Sequence, residues 1–481
     1  MTLLHALVLL PALGALGAAV HRTEAYRTGW LLVIAALHLV LTGLAWTGAP
    51  PPTLGGWIAL DAIGLIVLTV VSVLFAAVAV YAVGYLRREN PRGGRAFVSC
   101  LLAFLSAASL VALSHHFALL WIGLEATTLA VAPLIFHRHD RRSLEAVWKY
   151  LMLSSVGIAL ALLGTFLLAA SQSVSGDAVR PLVLEDLMAG APQLHPAWLK
   201  AACVFLLVGY GTKMGLVPLH AWKPDTYAVA PGLVAGLMAG VLTMIAFLGL
   251  TRITQVMIAA GLGGFVTPLL LTFGLASLAV GAAFIIGQSD LKRMLAYSSV
   301  EHMGLLTLGL GLGGGSAYGA LLHAVNNGLA KGLLFLTAGN VVLAAGGVAG
   351  DQRGLLRRAP ASAILLLAGL LAVAGSPPFG TFLSEFTIVR GAFGAGHPWI
   401  GAAALLCLAV AFVGMARLIV PMVYGTSAEP GGREARGGEN AWLVAGPVAL
   451  ALGVLLLGLF VPPALQRQLA AAAAVLGGRA P

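Results

Sequence analysis

Charged residues are scarce in this chain. Only 9% of its 481 residues are Asp, Glu, Lys or Arg, whereas 60% are hydrophobic. A soluble domain carries about 25% charged residues. The composition therefore excludes a soluble globular protein and predicts a protein that crosses the membrane many times. The net charge of +10 has to be interpreted through loop position, rather than as a basic surface for nucleic acid.

Cysteine is also scarce, and motifs of cofactor chemistry are absent from the sequence. Cys100, Cys203 and Cys407 lie singly in apolar segments, without the spacing of a disulfide framework or an iron-sulfur site. The glycine-rich segment 311–315 follows no predicted strand, so it is not a nucleotide-binding loop. We expect no cofactor, no metal and no redox centre in this chain. The sequence leaves open whether the chain is an enzyme, because any catalysis would belong to a larger complex.

Long apolar runs predict about fourteen membrane-spanning helices, since about 20 apolar residues cross a bilayer. The predicted fold class is an all-α polytopic membrane protein. The predicted spans are 2–20, 29–47, 57–86, 96–113, 115–136, 143–170, 197–222, 229–254, 264–287, 291–312, 316–346, 360–393 (broken), 398–425 and 439–462. The longest loop, 171–196, and the tail after residue 464 each predict a short surface or interfacial helix.

The distribution of basic residues predicts the orientation in the membrane. Loops after odd-numbered spans contain most of the lysines and arginines, including Arg87, Arg88, Lys223, Lys292 and Arg293. Loops after even-numbered spans have few, with Arg180 and Arg252 as the main exceptions. Because cytoplasmic loops are enriched in Lys and Arg, we expect the odd loops to be cytoplasmic and both termini to lie outside.

One lysine stands near the middle of a predicted span. At about 1.5 Å per residue, Lys213 lies roughly 20 Å from Lys200 and roughly 15 Å from Lys223, too far to reach the headgroups. An ammonium at this depth costs about 2.5–3.5 kcal/mol, so it is expected to have a function. The glycines beside it and Pro218 predict a helix break whose freed carbonyls solvate the charge.

Other intramembrane charges follow in a repeated order. Glu125 and Lys149 precede Lys213, and downstream Glu301 and Lys331 precede Glu385, which follows a Gly- and Pro-containing segment, 375–380. Buried acid and base groups can pass a proton because desolvation and neighbouring charges bring both towards neutrality. We therefore interpret these groups as a proton path. Lys149 either pairs with Glu125 or extends to the headgroups.

Three histidines extend the same hypothesis, because imidazole titrates near neutral pH. They are His220, His302 and His323. Each is equally interpretable as a buried histidine bonded to a carbonyl.

The repeated order predicts an inverted repeat. Five spans separate equivalent positions, an odd number, so equivalent helices run in opposite directions, as in many transporters. The predicted divisions are helices 1–3 in residues 1–95, a first repeat of helices 4–8 in 96–254, a second, inverted repeat of helices 9–13 in 264–425, and helix 14 with a short tail in 439–481.

Several segments resemble the antiporter-like subunits of respiratory complex I and membrane-bound hydrogenases, above all hydrogenase-4 component F. They are Glu125 in its apolar helix and residues 146–152, 213–225, 289–304, 323–331 and 375–385. The resemblance implies fourteen helices, inverted repeats at helices 4–8 and 9–13, and a central hydrophilic axis. It also implies a pair between Glu125 and Lys213, a charged Glu385 on broken helix 12, and supporting roles for Lys149 and Lys331.

The eighth helix departs from this pattern. Many relatives carry a lysine or histidine there, whereas this chain has Thr243 and Met244. The link between the two halves of the path would then depend on water and Thr243.

The leading hypothesis is a proton-translocating membrane subunit of a hydrogenase-like or complex I-like redox-driven pump. Its expected partners are other membrane subunits, including antiporter-like ones, peripheral iron-sulfur subunits and the lipid bilayer; no nucleic acid is expected. Its expected location is the bacterial cytoplasmic membrane. Two alternatives stay open, a subunit of a multisubunit Na⁺ or K⁺/proton antiporter and a non-conducting membrane scaffold.

Overall fold

The computed structural model describes residues 2–21, 23–89, 94–173, 181–344, 353–426 and 439–477; Arg180 lies outside these ranges. Secondary structure within them is helical apart from three isolated β-bridges between loops. Among these residues, eleven helices are long and apolar enough to cross a membrane. The predicted all-α polytopic fold is confirmed.

The first half of the chain forms eleven helices and one π-helical segment. They are α1 (Leu3–Val20), α2 (Glu24–Ala45), α3 (Ala62–Glu89), α4 (Gly94–Leu113), α5 (Phe117–Ile135), α6 (Arg141–Ser173), α7 (Leu184–Ala189), α8 (Pro196–Met214), α9 (Trp222–Val229), α10 (Gly232–Leu237), the π segment (Met238–Leu242) and α11 (Thr243–Ala259). The second half contains α12 (Gly263–Ile286), α13 (Leu291–Leu312), α14 (Gly314–Ala344), α15 (Leu355–Arg358), α16 (Pro360–Val373), α17 (Gly380–Gly394), α18 (Pro398–Tyr424), α19 (Ala441–Leu459) and α20 (Pro463–Ala474).

Three predicted spans are not among the eleven: the broken pair α8–α9, the charged helix α13 and the broken pair α16–α17. With them, the structure matches all fourteen predicted spans. Predicted span 7 was too short, because its second segment, α9, continues to Val229. The short helices predicted in the longest loop and in the tail are α7 and α20, and α20 packs against α3 and α14.

Both predicted helix breaks are present, each at a glycine with positive φ. Helix α8 ends at Gly215, whose φ of 76° is left-handed and whose N–H bonds back to Thr212. The other break lies between α16 and α17 and includes Gly375, with φ of 61°. Glycine adopts this conformation without the steric cost of a Cβ, so each break can be tight. At the first break the carbonyls of Gly211 and Thr212 accept from Leu216 N–H and Trp222 Nε1–H. The predicted solvation of Lys213 by freed carbonyls is therefore not found, because its ammonium donates to a hydroxyl instead.

The helices form two groups with the same order of neighbours. In the first group α4 packs on α5, α5 on α6, α6 on α8, and α8 on α11. In the second, α12 packs on α13, α13 on α14, α14 on both α16 and α17, and these on α18. This order agrees with the predicted repeat, while the residue boundaries of the four divisions stay a prediction. The groups meet where α9 contacts α13 and where α10 contacts α14.

A polar network joins the loops that follow even-numbered spans. Arg252 was predicted to lie in one of these loops, which is wrong: it lies inside α11, with a side chain 1% exposed. Its guanidinium donates to both oxygens of Asp61, at 2.6 and 2.7 Å. His115 lies 3.6 Å from Asp61 through Nε2 and 2.6 Å from Glu185 through Nδ1. Arg252, one of the two exceptions to the basic-loop pattern, is thus part of an internal ion pair.

The charges of this network shift one another's pKa values. Burial alone would lower the pKa of His115, but hydrogen bonds to Asp61 and Glu185 outweigh it and raise the pKa above 6.5. Burial would raise the pKa of Asp61, yet the Arg252 guanidinium holds it well below its usual range. Burial would raise the pKa of Glu185, but the hydrogen bond from His115 together with the charges of His115 and Arg252 lowers it. The network is therefore stable with His115 protonated and both carboxyls ionised.

Replacing Asp61 with Asn should destabilise the protein by about 3–5 kcal/mol, since the buried Arg252 guanidinium would lose its counter-charge. Thermal unfolding of the purified protein in detergent measures this loss. The double variant Asp61→Leu, Arg252→Leu is the control, because removing both charges leaves no unpaired ion. A double variant less stable than Asp61→Asn would contradict the interpretation.

The network also predicts a pH dependence of thermal stability. Because folding raises the pKa of His115, its contribution is complete below about pH 6.5 and is lost as the pH rises through the folded pKa. Because folding lowers the pKa of Glu185, its contribution is lost only as the pH falls below about 4.3. The melting temperature should therefore decline from pH 6 to pH 9 more steeply in the wild type than in His115→Gln. Parallel declines would show that His115 does not cause the effect.

Candidate functional site

In the first helix group, a lysine and a glutamate are joined through a hydroxyl. Lys213, near the end of α8, is fully buried, and its Nζ donates to Thr128 Oγ1 on α5. Thr128 Oγ1 in turn lies 3.2 Å from Glu125 Oε2 and 3.2 Å from the carbonyl oxygen of Leu124, and it can donate its proton to either. The ring of Tyr150, on α6, lies 5.5 Å from the ammonium. The pair of Glu125 and Lys213 that the resemblance implied is therefore present as a three-member chain.

Thr128 was not singled out in the sequence, although a signal existed. It lies three residues after Glu125, so both side chains share one face of α5. A threonine on the face of a functional carboxylate is a candidate relay, because its hydroxyl can accept one hydrogen bond and donate another.

A second buried lysine lies just beyond the break in this span. Lys223 was predicted to be a cytoplasmic loop residue, which is wrong: it is on α9 and 0% exposed. Its Nζ donates to Ser299 Oγ on α13, at 3.2 Å. Its stem packs directly against Gly215, where an added Cβ would lie 2.4 Å from Lys223 Cδ. The sequence pattern placed Lys223 in a loop because the apolar run ends just before it. In the structure the chain re-enters the protein there as a second helical segment.

In the second helix group, charged side chains converge from α13, α14 and α17. Lys331 is fully buried, and its Nζ donates to Ser298 Oγ at 2.6 Å. Its ammonium interacts electrostatically with the carboxylates of Glu301 and Glu385. Among the described residues, neither oxygen of Glu301 has a hydrogen-bond partner. The acid and base groups predicted for this half therefore lie within electrostatic range of one another.

Two histidines connect this region to Glu385. His302 Nδ1 lies 2.9 Å from His323 Nε2, and the two rings are stacked. His323 Nδ1 lies 3.0 Å from Ser384 Oγ, which donates its own proton to Thr381 O. Ser384 must therefore accept from His323 Nδ1–H, so His323 Nε2 is the acceptor for His302. This hydrogen-bonded order has the connectivity of a relay.

The end of this chain of groups opens into a cavity. His302 Nδ1 is 3.9 Å from Glu385 Oε1, and Glu385 is 6% exposed. The carboxyl group lines a cavity of about 670 Å³ together with Arg390 and apolar side chains of α17 and α18. Glu385 thus connects the histidine pair to space large enough for water.

The same groups can be considered as metal ligands. One ligand atom each of His302, His323 and Glu385 lies within 4.8 Å of the others. Two imidazoles and a carboxylate suit a cation such as Zn²⁺. The Lys331 ammonium interacts electrostatically with both histidines, however, and opposes a divalent cation there. We therefore interpret the cluster as a proton-carrying group.

Two predicted residues lie beside the line rather than in it. Lys149 pairs with Glu145 at 2.7 Å and with Asp225 at 2.9 Å, instead of with Glu125, and its side chain is 42% exposed. His220 lies in the turn between α8 and α9, with its ring 6.4 Å from that of Tyr297. Their part in translocation stays a prediction.

Comparison with known proteins agrees with this geometry. Residues 114–411 match the family model of the NADH:quinone oxidoreductase/Mrp antiporter transmembrane region. The chain is 33% identical over 393 residues to a hydrogenase-4 component F homolog of Methylacidiphilum infernorum, covering 79% of this chain and 81% of that protein. It is 33% identical over 450 residues to NADH-quinone oxidoreductase subunit N of Desulforudis audaxviator, covering 89% and 87%.

A solved structure shows the same fold. A chain of the membrane-bound sulfane sulfur reductase, an archaeal respiratory membrane complex, superposes with a TM-score of 0.88 at 22% identity, covering 98% of this chain and 97% of that one. Fold, buried charges and family match together define an antiporter-like membrane subunit. The chain belongs to the NADH:quinone oxidoreductase/Mrp antiporter family, which confirms the resemblance inferred from its motifs.

Proposed function

We propose that this chain translocates protons across the membrane as one subunit of a hydrogenase-like or complex I-like redox-driven complex. The observation that carries the proposal is the chain of Lys213, Thr128 and Glu125 beside a broken helix, in which Lys213 and Thr128 are buried and Glu125 is half-buried. The path comprises Glu125, Lys213, Lys331, Glu301, His302, His323 and Glu385, with Lys149 and His220 at its edge.

The connected groups in each half of this path can pass a proton in a defined order. Protonated Lys213 can give a proton to the Thr128 hydroxyl while that hydroxyl passes its own proton to Glu125, so no bare charge is formed midway. In the second half, a proton arriving at His302 can pass to His323 Nε2 or to Glu385. The neutral and charged forms of buried acid and base groups are close in free energy when burial and neighbouring charges oppose each other.

The chain needs an external energy source for this work. Moving one proton outward against 100 mV requires about 2.3 kcal/mol. The groups of the path can carry a proton but do not supply that free energy. We therefore infer partners of two kinds, namely other membrane subunits, antiporter-like ones among them, and peripheral redox subunits with iron-sulfur centres. The relatives named for hydrogenase-4 and NADH-quinone oxidoreductase support a place in such a complex in the bacterial cytoplasmic membrane.

A second candidate is exchange of protons for Na⁺ or K⁺. The matched family includes the Mrp antiporters, and carboxylates such as Glu125 and Glu385 serve protons and alkali cations alike. The internal contacts favour the proton, because lysine and histidine groups, which do not ligate Na⁺, alternate with the carboxylates.

Replacing Lys213 with Met or Glu125 with Gln should reduce proton translocation by roughly 10²-fold, the lower end of what one proton-transfer group contributes. The measurement is acidification of proteoliposomes by the reconstituted complex, with radioactive Na⁺ uptake recorded in parallel. Lys200→Met is the matched control, because Lys200 lies at the other end of α8, near the Phe265 ring.

Three outcomes are informative. Loss of proton movement in both variants, with intact assembly and an active control, supports the proposal. Unchanged proton movement in both would identify the chain as a scaffold. Translocation that requires Na⁺ and moves it in the opposite direction would establish the exchanger instead.

The proposed orientation has both termini outside and the loops after odd-numbered spans in the cytoplasm. In a cysteine-free background, Ser289→Cys should react with a membrane-impermeant maleimide only after the membrane is opened. His397→Cys should react in intact cells, because its loop follows an even-numbered span. Both positions are exposed. The reverse labelling pattern would invert the topology.

A further inference from the structure

The two halves of the path are not joined through the eighth span of this chain. Between Gly232 and Thr251 the sequence has no acidic, basic or histidine side chain. Thr243, which occupies the region where many relatives carry a lysine or histidine, donates its hydroxyl proton to Ala239 O at 2.6 Å. A hydroxyl can relay a proton but does not store one, so Thr243 does not replace a lysine or histidine. Another group has to carry the proton between α8 and α13.

Lys223 lies at the boundary between the two helix groups. Helix α9, which carries it, packs against α6 of the first group and α13 of the second. Its stem crosses the break at Gly215, two residues after Lys213, and an added Cβ at Gly215 would lie 3.0 Å from Lys223 Nζ. Its ammonium donates to Ser299 Oγ, across the boundary. One side chain thus contacts the end of the first half and the beginning of the second.

The next group across the boundary continues the connection. Ser298 directly precedes Ser299 in α13. Its hydroxyl oxygen accepts a hydrogen bond from Lys331 Nζ at 2.6 Å. Lys223 and Lys331 therefore donate to adjacent serines of one helix, and their charges interact. Because the two charges are alike, a proton on one lysine disfavours a proton on the other. This opposition suits transfer from one lysine to the next.

We propose that Lys223 is the proton carrier that links the two halves, taking the place of the basic residue missing from the eighth span. The proposal rests on the proton-translocating function proposed above. In the transfer an N–H bond of the donor ammonium breaks and an N–H bond of the acceptor amine forms, with the serine hydroxyls or water between them. The transfer involves no oxidation or reduction.

The surroundings of Lys223 support its charged form without fixing it. Its side chain packs against Gly215 at the C-terminal end of α8, where the helix dipole places partial negative charge. The ring of Tyr227 is 5.9 Å from its ammonium. Among the described residues, no carboxylate forms a salt bridge with Lys223, in contrast to Lys149. A lysine held by neutral dipoles can release its proton more easily than one held by a carboxylate.

The test uses variants that separate charge from titration. Lys223→Arg keeps a positive charge and a long stem, but arginine does not deprotonate in proteins. Lys223→Met keeps the stem alone. Both should lower proton translocation by the reconstituted complex at least about tenfold, whereas Lys223→His, which titrates, should retain more than either. If Lys223 only holds α9 against α13, Lys223→Arg should remain active, which would overturn the proposal.

A second-site variant tests whether a basic residue on the eighth span can replace Lys223. Met244→Lys places a basic residue on the eighth span. Added to the Lys223→Met variant, it should restore proton translocation. The matched control is Lys292→Arg. Lys292 is also buried on α13, but it bonds to the carbonyl of Ala230, at the end of α9, and should tolerate a fixed charge.

The results distinguish this proposal from the function on which it rests. A wild-type complex that moves no protons refutes the proposed function. A wild-type complex that pumps, together with an active Lys223→Met variant, refutes only the link. Loss in Lys223→Arg with intact assembly, together with rescue by Met244→Lys, establishes the link.

Discussion

The cost of placing an ionised group inside a membrane governs this structure. A charge at the bilayer centre costs several kcal/mol unless polar partners replace its water. Each central lysine has such a partner: Thr128 for Lys213, Ser299 for Lys223 and Ser298 for Lys331. These partners are hydroxyls rather than carboxylates, so the lysines are solvated without being locked into permanent ion pairs. A charge solvated in this way can be discharged and restored.

The helix breaks belong to the same constraint. The break at Gly215 ends α8 beside Lys213 and lets the stem of Lys223 cross the gap. The break between α16 and α17 brings Ser384 and Glu385 to His302 and His323. Broken helices thus bring Lys213, Lys223 and Glu385 to groups on the continuous helices α5 and α13.

Ion pairs with carboxylates surround the central lysines. Arg252 and Asp61 form a two-pronged pair that holds α11 to the start of α3. At the opposite end, Asp225 on α9 binds both Lys149 of α6 and Arg293 of α13. Carboxylate partners immobilise these cations, in contrast to the hydroxyl partners of the central lysines. The pair of Arg252 with Asp61 is strong because the guanidinium is buried, whereas the pairs of Asp225 are 31–44% exposed and each contributes little.

The sequence by itself determined the all-helical membrane fold, the fourteen spans, both helix breaks and the central charges, because hydrophobic length, Gly and Pro, and isolated charges in apolar runs are local signals. It also indicated the family. Only the tertiary structure decided which groups meet: it joined Glu125 to Lys213 through Thr128, gave Lys149 different partners, and moved Lys223 and Arg252 from loops into the interior. Those facts depend on how a chain re-enters the protein after a break and on which helix faces are neighbours, and no local pattern encodes contacts between residues 76 or 191 positions apart.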